Sequence, residues 1–158
     1  MKTELVKEFH QRIVSASQND LVVINYEMLM AELDEAIEKF DLESMTAYNT
    51  AMTRATKLLN ELSQNLDFAY EISKDLMSLY IFVNKKFIEA STENSVQPLH
   101  TAQDVLSSLL VGWKEANKTE ANDTPVIQNS QQLYAGLTYG KDSLNETVYE
   151  HQGRGFKA

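Results

Sequence analysis

Cysteine is absent, the first 111 residues hold no glycine, and proline occurs only at Pro98 and Pro125. Without cysteine there is no disulfide framework and no thiolate metal site, and a reducing compartment is allowed. The glycine-free stretch suits helices and lacks the residues that tight hairpin turns require. No run of about 18 apolar residues exists, so no transmembrane helix is expected. The start, with Glu4 and Glu8 and no apolar core, does not read as a secretory signal. Positive charge is also short: 14 Lys and Arg face 23 Asp and Glu, a net charge of −9. That balance opposes binding to nucleic acid or to anionic membranes, which needs clustered cations.

Chemistry-bearing patterns are missing too. His10, His100 and His151 have no second ligand at helical metal spacing, and neither Glu-x-x-His nor His-Glu-x-x-His occurs. No glycine-rich phosphate loop and no nucleophile elbow is found. Asp34, Glu35, Glu38 and Asp41 cluster near one helix end; a solvated face is the plain reading and a hard-cation site the alternative. No enzyme, cofactor or metal is expected.

What is present is helical periodicity. Ser17 and Asp20 have the spacing of a capping box. Val22, Tyr26, Leu29, Leu33, Ala36, Ile37 and Phe40 then follow as one apolar stripe. Asp41 is expected to end that helix and cap the next. A second helix over 42–66 carries Tyr48, Ala51, Met52, Ala55, Leu58, Leu59, Leu62 and Leu66. A third over 67–90 carries Phe68, Ile72, Leu76, Leu79, Val83, Phe87 and Ala90. A fourth over 96–117 carries Leu99, Ala102, Val105, Leu106, Leu109, Trp113 and Ala116, with Pro98 in its first turn, where a missing donor is no loss. Short connections make neighbours antiparallel. The expected fold is all-α, an antiparallel up-down four-helix bundle over 1–118. Residues 1–16 form an N-terminal arm and 119–158 a polar tail or short extra helix.

Two helices carry more apolar surface than one stripe. Leu21, Ile24 and Met28 project away from the first stripe, and that side turns polar further on at Glu32, Glu35 and Lys39. Tyr70, Met77, Ile81 and Ile88 form a second line on the third helix, flanked by Lys74, Ser78 and Lys85. These seven residues are candidate partner-binding positions; burial in a crowded core is the competing reading. The arm residues Leu5, Phe9, Ile13 and Val14 are a third possibility, as a cover for one patch. In the tail, helical turns are expected near residues 127–137. Docking onto the bundle, of its own chain or a neighbour's, is expected through Leu133, Tyr134, Leu137, Tyr139 and Leu144.

The run Ser15, Ala16, Ser17, Gln18, Asn19, Asp20, Leu21 resembles the Thr-Ala-Ser-Pro-x-x-Leu opening of FliS flagellar chaperones. Tyr26 with Glu27 stands where that family has Tyr-Asp. Leu66, Asp67, Glu71, Ile72, Leu76, Leu79, Tyr80, Ala90 and Ser91 resemble its third long helix. Trp113, Lys114, Glu115 and Ala116 resemble its closing Trp-x-x-Ala. The likeness runs in order over residues 9–117. Gln18, Asn25, Met28 and Ala69-Tyr70 depart from the pattern. The resemblance implies a cytoplasmic export chaperone that binds the disordered C-terminal segment of flagellin. It would prevent premature polymerisation and aid delivery to the type III flagellar export gate. In some free members the N-terminal arm covers part of the cleft. A helical adaptor of the same fold with a different client remains the alternative.

Overall fold

The computed structural model describes residues 1–122, and the expectations for the tail lie outside the described residues. Five helices occupy this part: α1 (Thr3–Ser15), α2 (Gln18–Asp41), α3 (Met45–Gln64), α4 (Ile72–Glu93) and α5 (Gln97–Asn122). Among the described residues there is no strand. The N-terminal arm is thus itself a helix.

Helix α2 starts as its sequence forecasts. The Ser17 backbone N–H donates to Asp20 Oδ2 at 3.1 Å, and the Asp20 N–H donates to Ser17 Oγ at 3.2 Å. Two orphan donors of the first turn are thereby satisfied. Its end differs from expectation. Asp41 is the last helical residue, and Ser44 is the N-cap of α3 but makes no side-chain cap bond. The reversal instead uses Glu43 in a left-handed conformation, φ 55°, which lets the Ser44 N–H reach back to the Lys39 carbonyl at 2.8 Å. Glycine normally takes this role, but this half of the chain has none. Asn94, φ 49°, does the same for α4, with the Ser95 N–H bonded to the Ala90 carbonyl at 3.1 Å.

The third predicted helix begins later than expected. Residues 67–71 form turns, held by the Ala69 N–H donating to Asp67 Oδ1 and by Ser73 Oγ donating to the Asp67 carbonyl at 2.6 Å. Phe68 and Ile72, assigned to the core stripe, are about half exposed. Tyr80 is buried in their place, while Leu76, Val83, Phe87 and Ala90 keep the expected positions. Leu79 is only half-buried.

Direction follows from paired contacts. Asp34, Glu27 and Asp20 of α2 meet Gln103, Lys114 and Asn117 of α5 respectively, so the two run antiparallel. Phe40 stacks edge-on against Tyr48, and Glu32 lies 3.8 Å from Arg54, so α3 also runs against α2. The core lies between α2, α3, α4 and α5, with Leu29, Leu33, Ala55, Leu59, Val83, Leu99 and Leu106 near its centre. The stripes of α2, α3 and α5 are those predicted.

Candidate functional site

Helix α3 packs along α2 and meets α4 more sparsely. Where α3 faces α4 its side chains are short and polar: Asn49, Thr53, Thr56 and Asn60. They leave an open groove of about 680 Å³, which Tyr48, Met52, Lys57, Asn84, Phe87, Ile88, Ser91 and Thr92 also line. An open groove of this size with apolar side chains among polar ones is a usual setting for a peptide segment.

The seven candidate residues fall into three settings. Ile81 and Ile88 on α4 are 62% and 59% exposed, and Ile88 stands on the groove. Tyr70 and Met77 are half-buried and pack against the core from its edge. Leu21, Ile24 and Met28 lie on α2, where Ile24 is only 3% exposed yet outside the main core. The sequence reading missed the polar α3 wall. Its signal was an unbroken series of Asn and Thr at helical spacing, which reads as solvated surface when α3 is taken alone.

Ile24 is buried because α1 doubles back on α2. A cavity of about 220 Å³ at their joint is lined by Arg12, Ser15, Ala16, Asp20, Val23 and Ile24. Arg12 pairs with Glu27 at 2.6 Å, and the Met1 ammonium lies 3.7 Å from Glu35, so the arm runs antiparallel to α2. Phe9 is buried, whereas Val14 at the far end of α1 is 82% exposed. The arm therefore covers part of the α2 patch with a small apolar contact and a few ion pairs.

Two glutamates beneath the arm have opposite leanings. Burial would raise the Glu27 pKa, but hydrogen-bonded Lys114 and Arg12 override it and hold the carboxyl below the usual value of 4.5. Glu27 thus stabilises the fold above that value, and the contribution fades as pH falls. Glu32 was read in the sequence as part of a polar side but is 2% exposed. Burial raises its pKa, and the N-terminal ammonium and Arg54 offset this only in part. Its charged form costs stability at neutral pH, and the cost disappears as acid protonates it in both states. Glu32→Gln is accordingly expected to raise the melting temperature at pH 7, with the gain vanishing below about pH 4.5, the usual carboxylate range. Melting curves across that range check it; a loss at pH 7 would mean that Arg54 and the amino terminus outweigh burial.

At the core, Tyr26 and Tyr80 share a hydrogen bond of 2.6 Å between hydroxyls. Burial drives the Tyr26 pKa up to about 12, against the lowering effect of hydrogen bonds to Tyr80 and Trp113. Both hydroxyls are occupied inside the protein, so the cluster reads as structural. Among the described residues no three His, Asp or Glu side chains gather as around a metal ion, and no helix is long and apolar enough to cross a membrane.

The family described as "Flagellar protein FliS" matches residues 1–120. The chain is also similar to the flagellar secretion chaperone FliS of Bacillus subtilis (strain 168). They are 19% identical over 109 residues, which is 69% of this chain and 82% of that protein.

Proposed function

Because the chain belongs to the FliS family of flagellar proteins, we propose that it is a cytoplasmic flagellar export chaperone whose client is the disordered C-terminal segment of flagellin. The observation that carries the reading is the pair Ile81 and Ile88, left exposed on α4 with Ile88 standing on the α3–α4 groove, while the core is built from other side chains. Isolated exposed isoleucines are ordinary; two on one helix face, beside a groove, suit an amphipathic segment. Met52 and Met77 add adaptable apolar surface.

Client binding engages the α4 face first, with Tyr70 and Met77 at its edge. Leu21, Ile24 and Met28 become available once α1 lifts. Lifting breaks the Arg12–Glu27 pair, up to about 1 kcal/mol, and exposes Phe9 and Ile24, about 1.5–3 kcal/mol each, which the client offsets by covering the same α2 patch. The bound client is withheld from polymerisation and released at the type III export gate. No chemical step is needed, because competing burial of the client's apolar face is sufficient.

Calorimetry with flagellin, intact and lacking its C-terminal segment, tests this reading. Firm binding of the intact protein and none of the truncated one is expected. Equal binding of both would sink the reading, and binding of neither would favour a different client on the same bundle.

A further inference from the structure

Lys57 is the single charged residue in the twelve-residue lining of the α3–α4 groove. The hydroxyls of Thr53, Thr56 and Thr92 donate to the carbonyls of Asn49, Met52 and Ile88 at 2.8–2.9 Å. Their donors are thus used within their own helices, and they offer an occupant lone pairs and methyl groups. Tyr48 is 3% exposed, and its hydroxyl is the one buried polar side-chain atom of this lining, among the described residues, without a hydrogen-bond partner. A buried phenol normally has one. The groove thus suits an uncharged segment bearing amides and a few apolar side chains. A charged segment would lose hydration there with only Lys57 in return.

The chain carries such a segment. Asp123 and Lys141 bound its longest charge-free run, seventeen residues in a protein of net charge −9. Within it, Gln128, Asn129, Gln131 and Gln132 precede Leu133, Tyr134 and Leu137. The run also starts at the right end of the bundle. Asn117 of α5 lies beside Asp20 at the start of α2. In the antiparallel arrangement that is the end where α3 finishes at Gln64, one turn beyond Asn60 of the groove. Eight extended residues span up to about 26 Å, enough to cross a bundle of helices spaced about 10 Å apart.

We propose that residues 124–140 fold back on their own molecule and seat Leu133, Tyr134 and Leu137 in the α3–α4 groove, entering at its Asn60 end. The occupancy does not depend on the client reading. Its consequence, a groove kept filled until a client displaces the tail, rests on that reading.

The absence of cysteine makes the test direct. A nitroxide on Ala135→Cys in the full-length chain should strip most of the amide intensity from Thr53, Thr56 and Asn84, and spare Asp34 and Ser107. Adding Leu133→Asp and Leu137→Asp should restore the signals without altering the rest of the spectrum. Mixing labelled with isotope-enriched unlabelled molecules should give no broadening. Unbroadened groove amides, broadening that survives the aspartates, or broadening in the mixed sample would each overturn the proposal, the last in favour of a second copy. No flagellin is present, so failure here leaves the client reading untouched.

Discussion

The double substitution Ile81→Asp with Ile88→Asp is expected to lower affinity for the flagellin C-terminal segment by about two orders of magnitude or more, with little change in melting temperature. Burying an isoleucine contributes about 1.5–3 kcal/mol. Both side chains are already partly covered, so about 1–2 kcal/mol of each remains for the client to gain. Losing that from two residues, and asking the client to cover two carboxylates, removes roughly 3 kcal/mol, and about 1.4 kcal/mol is a factor of ten. Stability changes little because neither side chain belongs to the core. Val111, equally exposed but on α5, is the control: Val111→Asp should leave affinity unchanged. Calorimetry with the client peptide and thermal melts of the three proteins measure both quantities. Undiminished affinity in the double variant would remove the α4 face from the client site.

Leu33→Ala should act in the reverse sense, on stability and not on the affinity of the folded chain. Leu33 is fully buried at the middle of α2, within the central cluster. Truncating such a leucine costs about 2–5 kcal/mol, since the surrounding helices relax only partly into the cavity. That is a large share of the 5–15 kcal/mol typical of a small domain, and it should lower the melting temperature by roughly 10 °C. Leu42→Ala, in the exposed reversal between α2 and α3, should change stability by no more than about 0.5 kcal/mol. Urea unfolding of the two variants checks the contrast. A mild loss at Leu33 would mean a core looser than the packing of α2 indicates.

These two leucines also mark what could be read without coordinates. Leu33 sits in an unambiguous stripe with Val22, Tyr26 and Leu29, so its burial was legible. On α4 two registers compete. Phe68, Ile72, Leu76 and Leu79 continue one helical period, and Tyr80 stands beside them at equally good spacing. Periodicity alone favours the longer apolar series. The structure chooses Tyr80, because its hydroxyl finds Tyr26 across the core, and it ends the helix pattern at Ile72, because Asp67 and Ser73 tie residues 67–71 into turns. The candidate site divides in the same way. Ile81 and Ile88 were visible as surplus apolar residues. The opposite wall was not, since Asn49, Thr53 and Asn60 become a surface of interest only when another helix stands across from them.

Local physical chemistry along the chain was enough for the helical class, the capping box at Ser17 and the inward stripes of α2, α3 and α5. Each depends on residues within a few turns of one another. The burial of Glu32 and Ile24 on the arm side of α2, the outward turn of Ile81 and Ile88, and the groove between α3 and α4 depend on which helices become neighbours. That choice sums weak contacts between residues far apart in sequence, so it exists only once the bundle has assembled.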